Sequence, residues 1–399
     1  MKLYRNFKCV GRDFKEVRSE ISMLVHQGKI SWIGPDRQLS KKKIKNKIKQ
    51  EINLKNRLVF PSFIECHTHA LFAGSRAEEF ELRNQGVSYL EIAGRGGGIL
   101  STVKSVRKSS AEDLLKLTQK RIDRFMAQGV STVEVKSGYA LDLKNEIKSL
   151  QVIKKLKGPR VVATFLGAHA KPPEFSSHAD YLEFLVEKVL PVVRKKELAK
   201  RVDIFIEKGF FEKTESQRFL QKSVDMGFQL VVHANQLTLS AGADLALQLG
   251  ARSADHVIQL DESLIRRFAQ SQTVAVLLPA ADLYMKCPYP PARSLIDAGA
   301  TVALATDYNP GSCPTQDLSL VGLLARLEMK MTLPEVFQAY TQGAAQALGL
   351  QNEEGTLEVG KLANFISTEA ELNDFFYSAG EMPAHDLFIR GKKILKSKN

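Results

Sequence analysis

The sequence predicts an α/β fold: a (β/α)8 barrel of the TIM type, joined to a small composite β-sandwich domain built from both termini. Three observations carry this expectation. Between residue 58 and about residue 350, short apolar runs alternate eight times with longer amphipathic stretches. The runs are almost continuously apolar, as strands covered on both faces are. The two ends of the chain, 1–57 and 351–399, are instead written in short strands and turns. Eight β/α units in series favour a closed parallel barrel over a doubly wound sheet.

Taken in order, residues 1–57 form the N-terminal part of the small β domain. ISMLVHQGKISWIG reads as two strands around Gln27-Gly28, a hairpin signal. The barrel occupies 58–350. Its strands are expected at 58–69, 131–139, 161–170, 202–209, 228–236, 252–258, 273–280 and 301–311. Helical stretches lie between most of them, for example 111–129 and 214–227. Each of these two runs into a glycine stop just before the next strand. Thr332-Leu-Pro-Glu335 opens the last clear helix, with capping-box spacing and an early proline. Residues 351–399 return to short strands and complete the small domain. No internal repeat of fixed period is present.

Composition excludes several classes. Of 399 residues, 44% are hydrophobic and 25% charged, so disorder, collagen and a coiled coil fail as descriptions of the whole. No apolar run approaches the ~18 residues of a membrane span. MKLYRNFKCVGRDFKEV is too polar for a signal peptide. Four dispersed cysteines form no C-x-x-C pair, and a cytoplasmic location is expected. The net charge of +13 is concentrated in KKKIKNKIK at 41–49 and GKKILKSKN at the C-terminus. Such clusters are usually solvated segments, so no nucleic-acid partner is expected.

Five of the eight histidines (His67, His69, His169, His233 and His256) fall at or near the C-terminal ends of expected barrel strands. All barrel strands aim those ends at one mouth, where catalytic residues collect. His67-Thr-His69 places two imidazoles on the same side of an extended segment, able to share a metal. His233 ends the fifth strand and Asp307 the eighth. Three histidines and an aspartate make a mixed N/O shell suited to zinc or iron, one ion per chain. Such an ion can lower the pKa of bound water to about 7 and polarise a carbonyl. A buried structural histidine competes as the explanation of His233, and a turn-former as that of Asp307. His256, after the sixth strand, reads as an acid/base beside that water or as a buried structural histidine, and His169, after the third, as a group that polarises a substrate carbonyl or hydrogen-bonds a loop. The fourth strand offers Glu207 before Lys208, which favours one metal over two. GRGGGI (94–99) and Gly355-TLEV-Gly360-Lys361 imitate phosphate-binding loops without their required context. Cys66 and Cys313, with no paired base, read as packing residues.

These residues resemble the amidohydrolase superfamily, whose metallo-hydrolase barrels carry His-x-His after strand one, His after five and six, and Asp after eight. ECHTHALFAGSRAEEFELRNQGVSYLEIAGRGGGI, VEVKSGYALD, TFLGAHAKPPE and LIDAGATVALATDYNPGSCPT resemble, within it, the imidazolonepropionase family of histidine degradation. That family opens the ring of 4-imidazolone-5-propanoate to N-formimidoyl-L-glutamate. The resemblance implies His67, His69, His233 and Asp307 as metal ligands, and Arg76 as the substrate-binding arginine, able to grip a propionate carboxylate bidentately. It makes Tyr139 and His169 substrate contacts, with His169 stabilising the developing oxyanion. It makes Asn309, Gly311 and Ser312 contacts to the product's carboxylate end, where backbone N–H groups of a Gly-Ser turn suit an anion. Asp307 and His256 would move the protons. Gln236 stands where the family often has a substrate-contacting Glu, and an amide hydrogen-bonds but cannot act as a base. Ala140 stands where the family usually has Gly. A homodimer acting on a small molecule is implied as well. The alternatives are another amidohydrolase, such as a deaminase or cyclic-ureide hydrolase, and a basic nucleic-acid-binding protein with an inactive barrel.

Overall fold

A computed structural model describes residues 1–41, 48–87, 91–92 and 97–395. Most of the lysine run at 41–49, the last four residues of the C-terminal basic cluster and part of GRGGGI lie outside them.

Four strands open the chain: β1 (Lys2–Val10), β2 (Val17–His26), β3 (Lys29–Pro35) and β4 (Gln50–Pro61). The β2–β3 hairpin turns on Gln27 and Gly28, with φ of 50° and 80°, the two positive angles a two-residue turn matching strand twist requires. The barrel follows: β5 (Phe63–Glu65), β6 (Val130–Lys136), β7 (Arg160–Ala168), β8 (Arg201–Ile206), β9 (Gln229–Ala234), β10 (Ser253–His256), β11 (Val274–Leu277) and β12 (Val302–Leu304). They lie in sequence order in one sheet, every neighbouring pair parallel. The chain ends in β13 (Phe365–Thr368), β14 (His385–Ile389) and β15 (Lys392–Leu395), which join the first four in a mixed sheet of order β15-β14-β13-β4-β1-β2-β3.

The single strand expected over 58–69 is two strands in two sheets. Backbone partners change within one residue: Ser62 N–H donates to Asn364 O in the small domain, whereas Phe63 N–H donates to Gly129 O at the foot of the barrel. The small sheet also rolls toward itself. Gly360 N–H donates to Ile30 O, Ala363 N–H to Gly28 O and Gly391 N–H to Ala363 O, which brings the β2–β3 hairpin against the C-terminal strands. Side-chain alternation then serves two cores. Val59, Phe365 and Phe388 fill the small domain's interior, while Leu58, Phe60, Ile366 and Leu387 face the barrel's core. Phe60, Phe63, Phe337, Phe375 and Phe376 pack there with ring centroids 5.1–6.4 Å apart.

Helix ends follow the sequence signals. Ser110 caps Ala111–Ala127, whose exit is Gly129 at φ 90°. Thr332 and Glu335 make the reciprocal capping box. The seam of the barrel, between β5 and β12, closes above the strands. Thr306 N–H donates to the Glu65 carboxylate (3.1 Å), Asp307 N–H to His67 O (3.2 Å) and His69 N–H to Tyr308 O (2.9 Å). The two segments carrying His67, His69 and Asp307 are therefore stitched directly to each other.

Candidate metal centre and active site

His67 and His69 follow β5, His233 lies in β9, His256 ends β10 and Asp307 follows β12, all of them buried. His69 Nε2 lies 3.3 Å from both His67 Nε2 and His233 Nε2. Asp307 Oδ1 lies 3.3 Å from the Nε2 atoms of His67 and His69. On the far side of two rings, His67 Nδ1 donates to Asp255 Oδ2 (2.6 Å) and His233 Nδ1 to Asp203 Oδ1 (3.0 Å). A carboxylate only accepts, so each Nδ1 carries the hydrogen and each Nε2 offers a lone pair. Asp307 Oδ1 is buried without a hydrogen-bond partner. Lone pairs converging like this repel one another, and a cation among them removes the repulsion. The spacing also fits, since ligands about 2.0–2.1 Å from a tetrahedral ion stand roughly 3.3–3.4 Å apart. These four side chains can hold one metal ion. Glu207 takes no part: its carboxylate accepts the N–H groups of Lys208, Leu237 and Thr238 and the Thr238 hydroxyl, while Lys208 is exposed.

Four left-handed non-glycine residues lie at these strand ends. His256 and Val257 have φ of 75° and 44°, Asn235 52° and Asp307 53°. Left-handed backbone costs a non-glycine residue about 1–3 kcal/mol and persists where the surroundings impose it, commonly at functional sites.

The cluster lies at a pocket on the C-terminal side of the barrel strands. Arg76, Tyr139, His169, Gln236, Asn309 and Ser312 stand on its walls together with His69, His233, His256 and Asp307. The model of the amidohydrolase family matches residues 58–394. The imidazolonepropionase of Bdellovibrio bacteriovorus is 55% identical over 388 residues, 96% of this chain and 92% of that protein. The chain belongs to the amidohydrolase family, in its imidazolonepropionase branch. The imidazolonepropionase of Bacillus velezensis is 43% identical over 80% of this chain and 77% of its own length. Among solved structures, an adenosine deaminase from Xanthomonas campestris superposes with a TM-score of 0.76 at 18% identity, covering 99% of this chain and 93% of that one. The guanine deaminase of E. coli gives 0.75 at 16%, covering 100% of both chains. At those identities the likeness is one of fold.

Each wall of this amidohydrolase site has its own support. Arg76 Nε donates to Glu79 Oε2 (2.8 Å), and Glu79 Oε1 accepts Gly98 N–H and the Ser101 hydroxyl. Tyr139 rides a loop tied down by Glu146, whose Oε1 accepts the N–H groups of Gly138, Ala140 and Leu141 at 3.0–3.2 Å. Ala140 thus fits this loop without a glycine. Gly138, at φ 106°, is required: a Cβ there would meet Leu166 O at 2.5 Å. Cys66 and Cys313 are buried and burial pushes both thiols up, in keeping with packing roles.

Two features of the walls bear on the expected contacts. The Gly311 and Ser312 N–H groups both donate to Asn309 Oδ1 at 2.8 and 2.7 Å, while Asn309 Nδ2 donates to Asp307 O and Ser312 Oγ. The asparagine closes this turn through its own side chain, and Asn309 and Ser312 both line the pocket. Secondly, His169 Nδ1 lies 3.0 Å from Gly138 O, so its Nε2 is an acceptor in the neutral ring. Burial, followed by His69 and His233, holds its pKa well below the ordinary histidine value. In that tautomer the ring offers its Nε2 lone pair as a hydrogen-bond acceptor.

The sequence reading missed a buried ionic layer beneath the ligands: Glu65, Glu134, Lys136, Asp203 and Asp255, none more than 1% exposed. The signal was present. Glu134 and Lys136 in VEVK, and Asp203 in VDIFI, interrupt strands that are otherwise apolar, and buried charges are kept only with partners.

Proposed function

We propose that this amidohydrolase hydrolyses 4-imidazolone-5-propanoate to N-formimidoyl-L-glutamate in histidine degradation, using one zinc or iron ion held by His67, His69, His233 and Asp307. The observation that carries the reading is that Arg76 and three of the four donors, His69, His233 and Asp307, line one pocket, in a chain whose relatives bear the name imidazolonepropionase. An ion held there supplies Lewis acidity toward the ring carbonyl and acidifies water toward neutrality.

The protein's residues supply the rest. Arg76 pairs with the propionate carboxylate, its guanidinium aligned by Glu79. Tyr139 and the acceptor Nε2 of His169 hold the ring, and Gln236 hydrogen-bonds its edge as a neutral amide. The oxygen of one water adds to the ring carbonyl carbon, and the ring C–N bond at that carbon breaks. The carbonyl becomes the α-carboxylate and the departing nitrogen takes up a proton. No redox partner is needed. Asp307 Oδ2 receives the water proton and returns it to the leaving nitrogen, while Oδ1 stays turned to the imidazoles. His256, its Nδ1 without a hydrogen-bond partner, stands beside this transfer.

A coupled assay tests the reading. Urocanase generates the unstable imidazolone in place, and its ultraviolet loss is followed with metal-loaded wild type and with His233→Ala. Rapid loss with wild type alone, yielding formimidoyl-glutamate and no ammonia, is expected. Ammonia release, or no acceleration by a protein carrying one metal per chain, overturns the substrate assignment.

A further inference from the structure

The layer beneath the ligands has an order that the reaction scheme does not use. Lys136 is fully buried on β6 and projects its ammonium into a ring of carboxylates. Nζ lies 2.8 Å from Asp203 Oδ2, 3.0 Å from Glu134 Oε2 and 3.6 Å from Asp255 Oδ2. Two of those carboxylates are the ones that fix metal-ligand rings: Asp203 accepts from His233 Nδ1, and Asp255 from His67 Nδ1. One ammonium therefore stands behind two ligands that come from opposite sides of the barrel, β5 and β9. We propose that Lys136 is a positioning residue that holds Asp203 and Asp255 in place, and through them keeps the Nε2 atoms of His233 and His67 turned toward a shared metal ion. The inference rests on the reading of the four-donor cluster as a metal centre.

Two carboxylates buried at the same depth repel each other unless a cation lies between them. Arg201 does not substitute for Lys136, because its Nη1 is committed to Ala347 O and its Nε stands 3.7 Å from Glu134. Burial alone would push the Lys136 ammonium toward the neutral amine, and the Asp203, Glu134 and Asp255 carboxylates outweigh it and keep the group charged. An imidazole whose Nδ1–H loses its acceptor can rotate or change tautomer, and either movement withdraws the Nε2 lone pair. Groups that orient ligands from behind typically carry 10–100-fold of the metal affinity. Glu134 supplies the internal comparison, since it touches the same Nζ but contacts no ligand ring.

The test is zinc release from the full-length zinc-loaded protein into excess 4-(2-pyridylazo)resorcinol, with Lys136→Met and Glu134→Gln compared against wild type. Lys136→Met is expected to release zinc about 10–100-fold faster, with Glu134→Gln within about threefold of wild type. Equal acceleration by both variants would mark a general loosening of the layer and overturn the proposal, as would release from Lys136→Met within twofold of wild type. Should Lys136→Met not fold, Lys136→Gln is read by the same criterion, and failure of both to fold assigns the lysine to stability alone. A wild type that takes up no zinc or iron removes the metal-centre reading itself, an outcome distinct from the others.

Discussion

The guanidinium of Arg76 lies against the backbone of Gly311: a Cβ built on that glycine would stand 2.1 Å from Arg76 Nη1 and 2.3 Å from Cζ. Gly311 N–H is meanwhile held by Asn309 Oδ1. The glycine is therefore the surface on which the arginine rests, while the turn closes through its own asparagine. Gly311→Ala is expected to displace Arg76 and raise KM about tenfold or more with a smaller effect on kcat, because a charged hydrogen bond is worth roughly 1.5–3 kcal/mol. Steady-state kinetics in the coupled assay measure it, and an unchanged KM would show that Arg76 does not bind the propionate.

Metal removal should show in stability as well as activity. Dialysis against a chelator is expected to abolish turnover and lower the melting temperature. Restoring the ion at ~1,000 times its dissociation constant returns about 4 kcal/mol. Calorimetry of the apo and reloaded protein checks this, and equal melting temperatures would remove the ion from the folded site.

Loop anchoring gives a separate prediction. Glu146→Leu leaves the N–H groups of Gly138, Ala140 and Leu141 without their shared acceptor. A loss of about 1–3 kcal/mol is expected from such orphaned groups, together with a higher KM as Tyr139 loses its place. Denaturant unfolding and kinetics measured side by side would separate the two effects.

Glu354 predicts a pH dependence far from the mouth. It is buried, accepting from the Thr132 hydroxyl and Asn364 Nδ2, and burial raises its pKa above the ordinary value despite those bonds and Arg160. A carboxyl with a raised folded pKa binds its proton more tightly in the folded state. It lowers stability progressively as pH rises from the unfolded value through the folded one. Glu354→Gln should therefore gain melting temperature relative to wild type on going from pH 4 to pH 8. A constant difference across that range would contradict the assignment.

Thiol reactivity offers a simpler check. Cys66 and Cys313 are buried, with thiols pushed well up by burial, whereas Cys9 and Cys287 are only partly covered. Native protein at pH 8 should be alkylated slowly, and at Cys66 and Cys313 only after unfolding. Mass spectrometry of labelled peptides reads this directly.

Local periodicity was enough to lay out the barrel. The eight apolar runs, the glycine exits at Gly129 and Gly227, and the capping box at Thr332 concern neighbours in the chain; each run holds a barrel strand, the first shared with the small sheet, and the exits and capping box appear where expected. The cluster of His67, His69, His233, His256 and Asp307 was legible for a related reason. A parallel barrel sends every strand's C-terminal end to the same mouth, so position along a strand already fixes position in space. Only the tertiary structure decided which donors face which acceptors. The chain could not show that Asn309 would take the Gly311 and Ser312 N–H groups, or that Gly138 O would fix the His169 ring as an acceptor. Nor could it show that the run at 58–69 would change sheets between Ser62 and Phe63. The ionic layer around Lys136 depends on it most: its members lie on β5, β6, β8 and β10, separated by tens to nearly two hundred residues. Electrostatic pairing depends on distance in three dimensions, which hydrophobic periodicity along one strand does not encode.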